Sequence, residues 1–197
     1  MKRLLASVTT IFALSLSALA SAASYNIDSD HSSVGFKVRH MMVSNVRGTF
    51  EKVNGVVNID ERDITKSKVE VTIDTASVNT GVQKRDEHLR GADFFDVAKY
   101  PTMKFVSRKV IKVGKGKLKV TGDLTLHGVT KEVVLDVEGP SRESKDPWGN
   151  LKSGAEASAK INRKDFGLVY NAALETGGVA VGEEVIINLE IELAKAK

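Results

Sequence analysis

Apolar residues recur at every second position through most of this chain, and that period admits few folds. From His31 to His40, the side chains of Val34, Phe36, Val38 and His40 face one way, and Gly35, Lys37 and Arg39 the other. Val43 to Phe50 continues extended, after which Val53, Gly55, Val57 and Ile59 form a second alternating face. Val69, Val71 and Ile73 form a third. Met103, Phe105 and Ser107 follow on one face; Leu118, Val120, Gly122, Leu124 and Leu126 follow on another. Val133, Leu135 and Val137, then Ala155, Ala157, Ala159 and Ile161, and finally Val185 to Leu193 repeat the pattern. Glu61-Arg62-Asp63, Gly114-Lys115-Gly116 and His127-Gly128 supply turns between them. About eight strands with short connections and no βαβ spacing favour an antiparallel sheet. Closing such a sheet into a barrel removes its exposed edges, and about eight strands leave room for packed side chains or one small ligand. A two-sheet sandwich satisfies the same alternation. The long last strand and a single interruption of the period tilt the choice toward the barrel.

That interruption is Thr80 to Phe105. Thr80 with Gln83 matches the capping-box spacing at a helix start, and Gly91 stands where a left-handed cap would end the helix. Val82, Arg85, Asp86 and Leu89 share a face, so a short, mostly polar helix is expected. Phe94 and Phe95 follow it, and Tyr100-Pro101 argues against further helix. A polar helix with an aromatic pair behind it reads as a helical cap over one end of the sheet structure.

The N-terminus has a different character. Lys2 and Arg3 precede an apolar run from Leu4 to Leu19, and Ala20-Ser21-Ala22 is a small-x-small cleavage site. Residues 1–22 read as a secretory signal peptide. Residues 23–197 then form the mature domain, with periplasmic localisation expected in a Gram-negative host. No later apolar run approaches the roughly 18 residues a spanning helix needs, so stable membrane insertion is not expected. The chain has no cysteine, which excludes disulfides, thiolate ligands and a cysteine nucleophile. Its net charge of +4 falls to +2 once Lys2 and Arg3 are removed, and that near balance gives no footprint for nucleic acid.

Catalytic signatures are lacking. No Gly-x-Ser-x-Gly elbow or glycine-rich phosphate loop occurs in the required context, and the chain reads as a non-enzyme. His31, His40, His88 and His127 show none of the close spacings that place two ligands on one metal, so no metal site is expected.

Six short signatures stand in order along the mature chain. They are His31-Ser32-Ser33-Val34-Gly35-Phe36 with His40; Arg85-Asp86-Glu87-His88-Leu89-Arg90; Asp93-Phe94-Phe95-Asp96 leading to Tyr100-Pro101 and Phe105; Thr121 to Lys131; Asp146-Pro147-Trp148-Gly149; and Asn162-Arg163-Lys164-Asp165-Phe166-Gly167. With these residues the chain resembles the YceI-like family, over essentially its mature length. The resemblance implies an extended lipocalin-like antiparallel barrel and a periplasmic protein that binds an isoprenoid or other long-chain lipid without established catalysis. It leaves the lipid unidentified.

A lipid carrier needs an apolar interior and a polar mouth. Candidates for the lining are Phe36, Val38, Val71, Ile73, Phe94, Phe95, Phe105, Leu124, Leu126 and Phe166; the same residues would also serve as ordinary barrel core. Arg85, His88 and Arg90 are candidates for a head group, because guanidinium pairs bidentately with phosphate. Asp86 and Glu87 lie between them, so mutual salt bridges that tie the cap down are the alternative. An isoprenoid-tailed quinone fits the same expectation; no other cofactor is implied, and a homodimer is left open. The rival reading is an interaction protein with a filled barrel, whose cap helix and Trp148 loop form the partner surface. A histidine-based metalloenzyme is the remaining alternative.

Overall fold

The computed structural model describes residues 22–175 and 177–197. The expected signal peptide lies outside the described residues, apart from Ala22. The strands are β1 (Ala22–Ile27), β2 (Ser33–His40), β3 (Ser44–Phe50), β4 (Val53–Asp60), β5 (Lys68–Asp74) and β6 (Val78–Asn79). After helix α1 (Gln83–Arg90) come β7 (Thr102–Gly114), β8 (Lys117–Leu126), β9 (Val129–Glu138), β10 (Ser144–Lys145), β11 (Leu151–Asn162) and β12 (Val181–Lys195).

These strands build a closed antiparallel barrel of eight staves. Three staves are each made of two strands in line. β1 and β2 both pair with β12, β4 pairs with β1 where β3 pairs with β2, and β5 and β6 pair with β4 and β3. β7, β8, β9 and β11 continue the circuit, and β12 closes it through eleven paired positions from Lys152↔Ala194 to Asn162↔Glu184. Closure follows the alternation: every second residue points inward, so a curved sheet can bury one face and solvate the other.

Short polar side chains set the breaks in the doubled staves. Asp28 accepts from the N–H of Asp30 at 3.2 Å and Asp74 from that of Ala76 at 2.8 Å, each starting a 3₁₀ turn. Such local bonds compete with the ladder and end the strand. At the seam, Lys152 on β11 donates to Asp28 at 2.5 Å and to Glu192 on β12 at 2.8 Å, linking three staves. Near the ends of β1 and β12, Tyr25 donates its hydroxyl to Glu143, which Lys195 also meets at 2.9 Å. Burial, reinforced by Glu143, pushes the Tyr25 phenol up to about 12.

The hairpin at His127-Gly128 is as expected, with φ of 52° and 74° joining β8 to β9. The helix ends are not. Val82 is the N-cap, makes no side-chain cap bond and is exposed. Thr80 instead donates its N–H and hydroxyl to Asp86 Oδ1 at 2.8 and 2.5 Å, so a buried acid inside the helix holds the entering chain. Gly91 is extended, with φ −71° and ψ 174°, and is not a left-handed cap. The positive-φ position after the helix is Asp96, with φ 44°, whose N–H donates to Gly91 O at 2.9 Å.

Candidate ligand cavity and its mouth

The barrel encloses a cavity of about 500 Å³, within the range of roughly 300–1,000 Å³ typical of small-molecule sites. All eight staves contribute to a lining that is almost wholly aliphatic and aromatic. Two local devices keep it open. On β11 three successive inward positions are the small residues Ala155, Ala157 and Ala159, the first two at the cavity wall and Ala159 buried, before Ile161. On β3 and β8, Gly48 and Gly122 let aromatic rings lie against the wall. A β-carbon at Gly48 would sit 2.5 Å from Phe36 Cζ, and one at Gly122 2.5 Å from Phe105 Cζ.

Nine of the ten sequence candidates line this space: Phe36, Val38, Val71, Ile73, Phe94, Phe95, Phe105, Leu124 and Leu126. Phe166 does not. It is 2 % exposed in the 3₁₀ turn Arg163–Phe166, which Gly167 (φ 78°) caps, and packs in the hydrophobic core. The aromatic pair after α1 divides its labour: Phe95 meets Phe50 edge-on at 5.4 Å, while Phe94 joins His88 and Tyr170 at 5.0 Å each.

The head-group trio separates. Arg85 and His88 reach the cavity, and Arg90 does not. Arg90 donates Nε to Ala76 O and Nη2 to Val78 O, both at 2.7 Å, so its guanidinium is spent pinning the helix to β6. Arg85 donates Nε to Thr80 Oγ1 at 2.7 Å and Nη2 to Thr80 O at 3.0 Å, which leaves Nη1 without a bond in that set. His88 Nε2 lies 2.8 Å from Asp93 Oδ2, and its ring packs edge-on against Phe94 and Tyr170 at 5.0 Å. Asp86 and Arg90 thus tie the cap to its neighbours through separate bonds and not through each other.

Sequence reasoning missed several mouth residues. Arg39 and His40 at the end of β2, Tyr170 and Arg163 all border the cavity. Arg163 is 3 % exposed and donates to Gly182 O at 2.8 Å, Val181 O at 3.2 Å and Leu168 O. Burial lowers its pKa, against the opposing pull of Glu183. A single arginine in a polar-looking turn gives no sequence signal for this role. Asp28, His31 and Glu192 bring three potential metal ligands within 4.8 Å, but Lys152 already holds both carboxylates. Among the described residues this group of three contains one histidine, His31.

Residues 25–193 match the model of the YceI-like domain. The chain belongs to the YceI-like family. It is 43% identical over 171 residues to a UPF0312 protein of Photorhabdus laumondii, covering 86% of each chain. It is 40% identical over 192 residues to the protein YceI of Escherichia coli, covering 96% of this chain and 97% of that one. Among solved structures, Burkholderia cenocepacia BcnA superposes with a TM-score of 0.71 at 25% identity, over 84% of this chain and 98% of that one. The YceI protein of Campylobacter jejuni gives 0.68 at 37% identity, over 86% and 96%. A polyisoprenoid binding domain from Saccharophagus degradans shares the fold, with a TM-score of 0.63 at 19% identity over 88% and 99%.

Proposed function

We propose that this YceI-like protein is a non-catalytic binding protein that encloses the tail of an isoprenoid-type or other long-chain lipid, a quinone included. The observation that carries the reading is the apolar cavity of about 500 Å³ running inside a closed barrel. A filled barrel would leave no such space, so the interaction-protein alternative loses its premise. Each methylene taken from water contributes roughly 0.8 kcal/mol, so several isoprene units bind tightly without a strong head-group contact. Arg85, His88 and Tyr170 at the mouth then orient a polar end. The Saccharophagus domain's description as polyisoprenoid-binding agrees with this reading, though at 19% identity its weight is that of a shared barrel.

Residues 1–22 act as the export signal in this reading, delivering the barrel to the periplasm. Among the described residues no helix is long and apolar enough to cross a membrane. Native mass spectrometry of protein purified from its own compartment without detergent tests the reading. A discrete lipid adduct near one per chain supports it. A bare mass that stays bare after incubation with isoprenoid lipids and quinones sinks it.

A further inference from the structure

The β2–β3 hairpin ends in a turn that local preference disfavours. The N–H of Val43 donates to His40 O at 3.1 Å across Met41 and Met42, whose φ angles are 50° and 60°. Two successive positive φ values make a type I′ turn, which Asn-Gly fits and two methionines strain. All three tip side chains are apolar and face water: Met41 is 42%, Met42 49% and Val43 78% exposed. The tip is held in place. Met41 N–H donates to Ala180 O at 2.8 Å, and Arg39 Nη2 donates to Met42 O at 2.7 Å.

The charge of the hairpin is equally one-sided. Between Asp30 and Glu51 the chain has no acid, while Lys37, Arg39 and Arg47 are cationic. Lys37 stands directly opposite Arg47 in the register, a like-charge cross-strand pair that costs stability. By the alternation Arg39 shares a face of β2 with Lys37, and at the strand's end it also borders the cavity mouth beside Val38. An exposed apolar tip and a cationic stripe therefore adjoin on one element, and of the stripe only Arg39 also serves the fold, through its bond to Met42 O.

We propose that this hairpin is a docking surface for an anionic lipid bilayer. Met41, Met42 and Val43 enter the acyl boundary, and Arg39, Lys37 and Arg47 meet the phosphates above it. At the rise of a strand, Arg39 lies about 7 Å and Lys37 about 13 Å from Met41. Interfacial segments bury their apolar side to a depth of about 5–10 Å, which brings Arg39 to the head-group level and leaves Lys37 within the reach of the surface potential. A bilayer fits better than a protein: a specific protein interface buries about 800 Å² per partner, and three side chains on a protruding tip supply far less. Glu175, exposed on the adjoining loop, opposes such docking, whereas Glu183 and Glu184 on the neighbouring β12 are paired with Lys164 and Lys160. Because His40 borders both the tip and the cavity mouth, docking sets the barrel opening against the membrane. The docking itself does not depend on the cavity holding a lipid.

Flotation of the full mature protein with vesicles tests the proposal, with phosphatidylglycerol/phosphatidylethanolamine compared against phosphatidylcholine. Binding is expected to the anionic vesicles and to fall as salt rises. The double variant M41N/M42G places the favoured residues in the same turn, so Tm should hold or rise while the bound fraction falls at least tenfold. K37Q/R47Q should bind anionic vesicles less and lose much of the salt dependence. Wild type that does not float with anionic vesicles at low salt overturns the proposal, as does M41N/M42G floating as wild type does. A wild-type dimer lost in M41N/M42G, with no vesicle binding, would assign the tip to a second copy instead.

Discussion

The ring of Phe36 lies across the backbone of Gly48, its register partner on the neighbouring stave, so closely that a β-carbon there would stand 2.5 Å from Cζ and 2.7 Å from Cε1. Thr80 Cγ2, at 2.8 Å from the same point, closes the remaining side. The glycine is therefore a seat for the ring. Replacing Gly48 with Ala should cost about 1–3 kcal/mol of stability through overpacking, read as a lower midpoint in urea. The displaced ring should also shrink the cavity, so a fluorescent fatty-acid probe should bind more weakly even where the variant is fully folded. An unchanged midpoint would show that the ring has other room to move.

The alanine wall of β11 allows a cleaner separation of fold from capacity. Ala157 stands between Val137 on β9 and Leu189 on β12 and borders the cavity. Ala157→Phe should project a ring into the open space, at a stability cost of about 1–2 kcal/mol, and reduce lipid binding at least tenfold. Normal circular dichroism with undiminished binding would remove this wall from the site.

Arg85 and Arg90 should behave as different kinds of residue despite lying on one helix. Arg90→Met removes two charge-assisted bonds to the carbonyls of Ala76 and Val78, and should destabilise the fold by about 2–3 kcal/mol. It should leave the preference between a lipid diphosphate and its alcohol unchanged. Arg85→Met should narrow that preference, measured by competition, with a smaller loss of stability. The reverse pattern would return the head-group role to Arg90.

The seam carries a pH signature. The Lys152 ammonium, with His31 assisting, holds the Asp28 carboxyl down to about 2 from an ordinary 3.8. A lowered folded-state value means that its stabilisation is complete above pH 3.8 and is lost as pH falls through 2. The group is partly solvated, so about 1 kcal/mol is expected after screening. Asp28→Asn should lower stability at pH 7 and flatten its decline between pH 4 and 2, as followed by urea midpoints. Parallel curves for variant and wild type would remove Asp28 from the acid response.

The alternation of Leu118 to Leu126 and of Val185 to Leu193 made the barrel legible, because an inward face every second residue is the same signal in sequence and in space. Seven of the nine lining residues could be read for that reason, and Phe94 and Phe95 from the aromatic pair behind the helix. Phe166 misled because it carries the same hydrophobicity but sits in a 3₁₀ turn, where period two has no meaning. The helix cap was misread because Thr80 finds its partner in Asp86, three residues beyond the Gln83 that the local motif names. Arg163, Tyr170 and the two seat glycines were illegible for a common reason. What they do depends on which distant strand comes to lie against them.

The last stave also governs when the molecule can exist as a vessel. β12 pairs with β11, β1 and β2, joining Leu193 near the C-terminus to Ile27 near the start of the described chain. A chain that stops before β12 is an open sheet whose oily face is bare. A chain made N-terminus first therefore stays unsealed until β12 is present, and contacts of such long separation form slowly. Sealing thus comes late in folding, and whatever keeps the unfinished sheet from aggregating must act until β12 arrives.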